Sequence, residues 1–190
     1  MRGRRRQGES SARTVGFGRR LDAGPRSAQA LTMRHAPIAL ALYQPDIPQN
    51  TGTLLRLCAC LAVEAHIIEP AGFPVSDRAF RRAGMDYLDR VTIERHVSWT
   101  AFDDWRRPTE RRLVLATTRG AMPYTRFAFA PGDIILLGRE SAGVPDAVHA
   151  AADARILVPM VADLRSLNVA VTGAMIVGEA LRQTDSWPGQ

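Results

Sequence analysis

From Ile38 onward, apolar and polar positions alternate between two kinds of segment. IALALY (38–43), AHIIEP (65–70), RLVLATT (112–118), DIILLG (133–138) and ARILVPM (154–160) are short, nearly continuous apolar runs, as expected of strands buried on both faces. RVTIERH (90–96) is a further strand of mixed character. Between them lie segments with helical spacing: TGTLLRLCACLAV (51–63), SDRAFRRAGM (76–85), WTAFDDWRR (99–107), PDAVHAAA (145–152) and NVAVTGAMIVGEALRQT (168–184). Strands alternating with helices predict an α/β fold with a parallel sheet covered on both faces. In the first helix Leu54, Leu57, Cys58 and Leu61 form the expected buried stripe. Asn50 or Thr51 is placed to cap it, after Pro45 and Pro48 have held the chain extended. No internal repeat is visible.

Before Ile38 the pattern disappears. Residues 1–34 are rich in Arg, Gly and Ser and are expected to be disordered, leaving 35–190 as one domain. This segment also explains the charge. It holds nine arginines against Glu9 and Asp22, whereas the remaining 16 arginines face 17 acids, so the net +6 resides in the tail. The tail reads as a nucleic-acid-binding arm or as an extension upstream of a start at Met33. A transit peptide ranks lower, because no amphipathic stripe is present. The chain has no lysine, which points first to codon bias and second to guanidinium chemistry.

No apolar run reaches the roughly 18 residues of a membrane span, and no secretory h-region is visible near the start. Cys58 and Cys60 point to different helix faces, which argues against a disulfide between them. No Cys/His cluster has zinc spacing, so no metal is expected, and a reducing, cytoplasmic setting is the simple reading.

Three stretches could carry chemistry. In PDIPQNTGTLLRLC (45–58), Arg56 lies opposite the buried stripe, one turn into a helix whose dipole disfavours a cation there. It is a solvated arginine or one held by an anion. In LLGRESAGVPDAV (136–148), a buried strand ends at Gly138, with Gly143 five residues on, at the kind of sheet edge where α/β proteins bind ligands. The stretch is no dinucleotide fingerprint or P-loop, and Ser141 is one position too late for a nucleophile elbow. Glu140 is a ligand contact or an ordinary loop acid. In VPMVADLRSLNVAVTGAM (158–175), Arg165, Ser166 and Asn168 crowd the start of an apolar helix, where free N–H groups favour anions. A cap explains one polar residue, not three. Ala170, Ala174 and Gly178 form a small-residue stripe, for tight packing within the chain or against a second subunit.

LYQPDIPQNTGTLLRLCA, HIIEPAGF with RRAGMDY, LLGRESAGVP, and ILVPMVADLRSLNVAVTGAM together resemble the SPOUT class of RNA methyltransferases over Ile38–Thr184. Within that class the chain is similar to the tRNA (cytidine/uridine-34) 2'-O-methyltransferases, which act at the wobble nucleotide. The resemblance implies a deep C-terminal trefoil knot, S-adenosyl-methionine as cofactor, a homodimer, and a tRNA anticodon stem-loop as partner. By position it implies a donor pocket at Ala116, Thr117 and Thr118, Leu137, Gly138 and Glu140, Val158, Pro159 and Met160, and Ser166 and Leu167. Arg56, Ser166 and Asn168 match catalytic positions, with Asn50 in support. Two departures stand out: Leu164 replaces a serine in the family's P-D-S-R-S-M-N-L run, and Arg139 replaces a proline in the glutamate loop.

The implied reaction moves a methyl group in line onto a ribose 2'-oxygen and requires no metal. Arg56 is expected to contact the target nucleotide. A guanidinium resists acting as a base, so stabilising the alkoxide and the neighbouring phosphate stays open beside it. Arg78, Arg81 and Arg82 on one predicted helix, with Arg165 and Arg182, supply cationic surface for RNA, or are solvated faces. The competing functions are methylation of another tRNA or rRNA site and a noncatalytic RNA-binding module. A Rossmann-like enzyme is disfavoured, because G-x-G-x-x-G is absent.

Overall fold

A computed structural model describes residues 38–75, 91–119, 122–164 and 166–189. The elements run β1 (Ala39–Tyr43), α1 (Pro48–Leu61), β2 (Glu64–Ile68), β3 (Ile93–His96), α2 (Trp99–Arg106), β4 (Leu113–Ala116), β5 (Met122–Pro123), β6 (Ile134–Leu137), α3 (Asp146–Ala151), β7 (Ala154–Leu157) and α4 (Val169–Gln183). The strands form one sheet in the order β3-β2-β1-β6-β4-β7-β5, and every neighbouring pair is parallel. The parallel α/β architecture is therefore the one the hydrophobic pattern predicts. The predicted helix at 76–85, with Arg78, Arg81 and Arg82, lies outside the described residues, as do Arg165 and the tail 1–34.

Pleat alternation splits the apolar runs into two cores. Leu40 and Leu42 of β1 and Ile135 and Leu137 of β6 face Leu54, Leu55 and Cys58 of α1 and Ile176, Val177 and Leu181 of α4. Ala39, Ala41, Ile134 and Leu136 face Phe102 of α2 and Val148 of α3. β1 and β6 at the centre are thus buried on both sides, which is why their sequences read as continuous apolar runs rather than alternating ones.

Four local differences from the sequence reading have physical causes. First, α1 begins at Pro48, not at a cap on Asn50 or Thr51; Ile47 is the N-cap and makes no side-chain cap bond. Proline's fixed φ and missing N–H suit the first helical position, so Pro48 starts the helix instead of extending the strand. Second, the buried stripe of α1 is Thr51, Leu54, Leu55 and Cys58, while Leu57 and Leu61 are only partly buried. Third, β5 is two residues long and ends in a proline, too short to show a period and tolerable only at a sheet edge. Fourth, the close helix approach occurs at Gly173 rather than along Ala170, Ala174 and Gly178. A Cβ at Gly173 would stand 2.6 Å from Leu54 Cδ2 and 2.9 Å from Leu137 Cδ1. Ala174 is exposed instead. Both cysteines are free, Cys58 buried and Cys60 exposed.

Candidate active site

The carboxyl ends of β4, β6 and β7 open into a cleft of about 570 Å³. That volume is within the range of small-molecule pockets. The β4 end contributes Ala116, Thr117 and Thr118. The β6 end contributes Leu137, Gly138 and Glu140, the segment after β7 contributes Val158 and Met160, and the start of α4 contributes Ser166, Leu167 and Asn168. Asn50 reaches it from α1. The positions expected to form a donor pocket, from Ala116 to Leu167, therefore lie on the walls of one cleft, Pro159 alone excepted. Arg56 does not line it; this arginine is exposed on the outer side of α1.

The loop after β6 is shaped by backbone proximity. Arg139 and Gly143 exchange two main-chain hydrogen bonds of 3.0 and 2.7 Å, and Gly143 adopts φ +66°. A Cβ on Gly138 would fall 2.8 Å from the carbonyl carbon and 2.9 Å from the Cα of Gly143, so only glycine fits. Arg139 ties this loop to the end of β1: its Nε donates to the Gln44 carbonyl (3.1 Å) and its terminal nitrogen to Gln44 Oε1 (3.0 Å).

A chain of side-chain bonds then joins three elements, and its polarity is fixed at one end. Asn168 is the N-cap of α4; its Oδ1 accepts from the N–H groups of Ala170 (2.8 Å) and Val171 (3.2 Å). An amide oxygen held by two donors leaves Nδ2 to face the other way, and it donates to Asn50 Oδ1 at 3.0 Å. Asn50 must then turn its own Nδ2 toward Glu140, and it donates to Oε1 at 3.2 Å. Glu140 Oε2 accepts from the Asp46 N–H at 3.0 Å. The return bond runs from the Glu140 N–H to Asp46 Oδ1 (3.2 Å), and the Ser141 hydroxyl donates to Asp46 Oδ2. Neither amide in this relay can flip without opposing like to like.

The two carboxyls at its end titrate in opposite directions. Hydrogen bonding with Glu140 brings Asp46 down to about 2, against the opposing effect of burial. Burial, and then the bond with Asp46, raises Glu140 above the usual glutamate value. Asp46 and the anchoring role of Arg139 are features that sequence reasoning misses. The only signal for them is the pairing of the PD and RES motifs, which lie 94 residues apart and share no period.

Among the described residues, one cluster of potential metal ligands, His66, Glu94 and His96, comes together between β2 and β3. The expectation of no metal rests on spacing along the chain, which cannot register ligands contributed by two strands. Arg182, expected to offer cationic surface, is engaged by Glu179 through bonds of 2.8 and 2.7 Å.

Known proteins share the fold and much of the sequence. Residues 37–178 match the SpoU rRNA Methylase family. The tRNA (cytidine(34)-2'-O)-methyltransferase of Beijerinckia indica is 71% identical over 144 residues, covering 76% of this chain and 90% of that protein. A solved structure described as "Structural insights into the 2-OH methylation of C/U34 on tRNA" superposes with a TM-score of 0.73 at 37% identity, covering 79% of this chain and 97% of that one. The SpoU methyltransferase AviRb from Streptomyces viridochromogenes, in complex with the cofactor AdoMet, gives a TM-score of 0.70 at 26% identity over 80% of this chain and 62% of that one. With a family match across most of its length and a relative this similar, the chain belongs to the SpoU rRNA Methylase family.

Proposed function

We propose that this protein transfers the methyl group of S-adenosyl-methionine to the 2'-oxygen of the ribose at the wobble nucleotide, position 34, of tRNA, and that it does so as a cytoplasmic homodimer. The observation that carries the proposal is the convergence of three separate motifs and the end of β4 on one cleft, in a chain 71% identical to a relative named for that reaction. Among the described residues, no helix is long and apolar enough to cross a membrane.

The cleft fits the cofactor. Gly138 and Gly143 keep a strand-end loop flat, so that main-chain groups approach a ligand without side chains between. Ile47, Leu137, Val158 and Leu167 give it apolar walls, and Thr117, Glu140 and Ser166 give polar ones. The cofactor supplies an electrophilic methyl group on a sulfonium. The protein's own contribution is to bind, orient and exclude water. The Asn168–Asn50–Glu140 relay fixes the start of α4 against the glutamate loop, so Ser166 and Leu167 have a defined position beside the β6 end. A rigid frame of this kind holds donor and acceptor in line, where a misplacement of about 1 Å costs about a hundredfold in rate.

Arg56 is exposed on α1, and α1 packs beside α4. The outward side of α4 presents Val171 and Met175, at 47% and 38% exposure, with Ala174 between them. This apolar face supports a homodimer in which Arg56 belongs to the shared surface and meets the RNA there, stabilising the developing alkoxide or the adjacent phosphate. The trefoil knot belongs to the same reading: the chain leaves β7 near one edge of the sheet and returns to lay α4 on α1 and β6 at its centre. Labelled S-adenosyl-methionine, tRNA lacking its wobble methyl group, and nuclease mapping test the proposal; label in nucleotide 34 supports it, and label elsewhere replaces the substrate. Arg56→Lys is expected not to restore turnover, because an ammonium lacks the planar fork; near-normal turnover removes Arg56 from this role.

A further inference from the structure

The edge of the sheet away from the cleft carries chemistry that methyl transfer does not use. His66 on β2 stands in register with Glu94 on β3, and His96 lies two residues further along the same strand. Pleat alternation therefore sends all three side chains to the α2 face. His66 Nδ1 lies 3.1 Å from His96 Nε2 and 3.8 Å from Glu94 Oε2, and the three ligand atoms all fall within 4.8 Å of one another. Both histidines are buried, whereas Glu94 reaches in from the exposed side. Trp105 walls the pair, with ring centroids 4.6 Å from His66 and 5.2 Å from His96, and Phe102 stands 5.1 Å from His96.

Hydrogen bonding alone accounts for this cluster poorly. Burial disfavours the charged form of both imidazoles. Two neutral imidazoles meeting through one nitrogen each share a single proton. The pair's second proton sits on an outer ring nitrogen, so no further N–H is aimed at the Glu94 carboxylate, which lies 3.8 Å from His66 Nδ1. A cation would be met by lone pairs from all three. Four-coordinate zinc with bonds of about 2.0–2.1 Å sets neighbouring ligand atoms roughly 3.3 Å apart, between the two separations found here. The Arg111 charge acts on His66, but its guanidinium is bound by Glu64 at 2.7 Å.

We propose that His66, Glu94 and His96 form a site for one divalent ion of the zinc class, bound through His66 Nδ1, His96 Nε2 and a Glu94 oxygen, with an open fourth position. Two imidazoles and a carboxylate suit such borderline ions better than calcium or magnesium, which prefer oxygen. The ion joins β3 to β2 and is separate from the cleft, since none of the three ligands lines it.

The test uses the full chain after chelator treatment and dialysis. Zn²⁺ is titrated by calorimetry and Co²⁺ by visible spectroscopy, in the wild type, Glu94→Ala and His96→Gln. The expected result is one ion per chain, a higher Tm with Zn²⁺, cobalt bands typical of low coordination, and affinity weakened at least tenfold in Glu94→Ala. The Glu94 side chain is 44% exposed, so its replacement leaves the fold intact and decides the matter even if His96→Gln fails to fold. Absence of wild-type binding overturns the proposal. So does binding of equal affinity in Glu94→Ala, which would place the ion elsewhere.

Discussion

Asn168 performs two jobs that two substitutions can separate. Its Oδ1 caps α4 through the N–H groups of Ala170 and Val171, and its Nδ2 starts the relay to Asn50 and Glu140. Asn168→Ala removes both. Loss of an N-cap costs about 1 kcal/mol. For a domain of this size that lowers Tm by about 2–4 °C. Asn168→Asp keeps an acceptor at the cap, and a carboxylate at a helix N-terminus gains about 0.3–1 kcal/mol, so Tm should stay near the wild-type value. The relay fails nonetheless. The introduced carboxylate would turn an oxygen toward Asn50 Oδ1, and rotating the Asn50 amide only moves the conflict to Glu140 Oε1, now 3.2 Å from the Asn50 nitrogen. Both variants should lose about a hundredfold in kcat/KM, the scale expected for a displaced frame. Protonated Glu140 could donate to a rotated Asn50, so the Asn168→Asp deficit should deepen as pH rises through the raised Glu140 value. Methyl transfer with labelled cofactor and thermal melts measure both properties. Wild-type turnover in Asn168→Asp refutes the relay, and an unchanged Tm in Asn168→Ala refutes the cap.

Other outcomes follow from the same geometry. Gly138→Ala forces the backbone of Gly143 aside and strains the Arg139–Gly143 bridge; a loss of about 1–3 kcal/mol, read by urea denaturation, should accompany weaker cofactor binding in calorimetry. Asp46 titrates at about 2 in the folded chain against 3.8 unfolded, so its contribution to stability is present above that unfolded value and is lost as pH falls through about 2. The difference in urea midpoint between the wild type and Asp46→Asn should therefore close between about pH 4 and pH 2; a constant difference contradicts the assignment. Val171→Glu places a charge on the exposed face of α4 and should shift sedimentation toward monomer with little change in Tm; an unaltered oligomer removes that face from the dimer.

The centre of the sheet was legible because its strands are buried on both sides, which leaves unbroken apolar runs such as IILL at 134–137. The helix starts were less so. Pro48 could equally end an extended segment or open a helix, and only the cap at Ile47 distinguishes them. β5 could not be read from two residues. Gly173 escaped notice because the contact that requires a glycine is made with Leu54 and Leu137, each remote in sequence. At the site, motif resemblance placed the cleft-lining positions together, but not the order of bonds among them. Asn168 meets Asn50 across 118 residues and Asn50 meets Glu140 across 90, separations at which no local pattern carries information. The outward position of Arg56 was legible, because Leu54 and Cys58 already fix the rotation of α1 in the sequence pattern.

The central claim is transfer to one oxygen atom, and the most direct measurement removes that atom. Two anticodon stem-loops, identical except for ribose or 2'-deoxyribose at nucleotide 34, are incubated with the protein and labelled S-adenosyl-methionine. Methylation of the ribose form with none of the deoxy form is the predicted result; equal labelling of both would contradict the account.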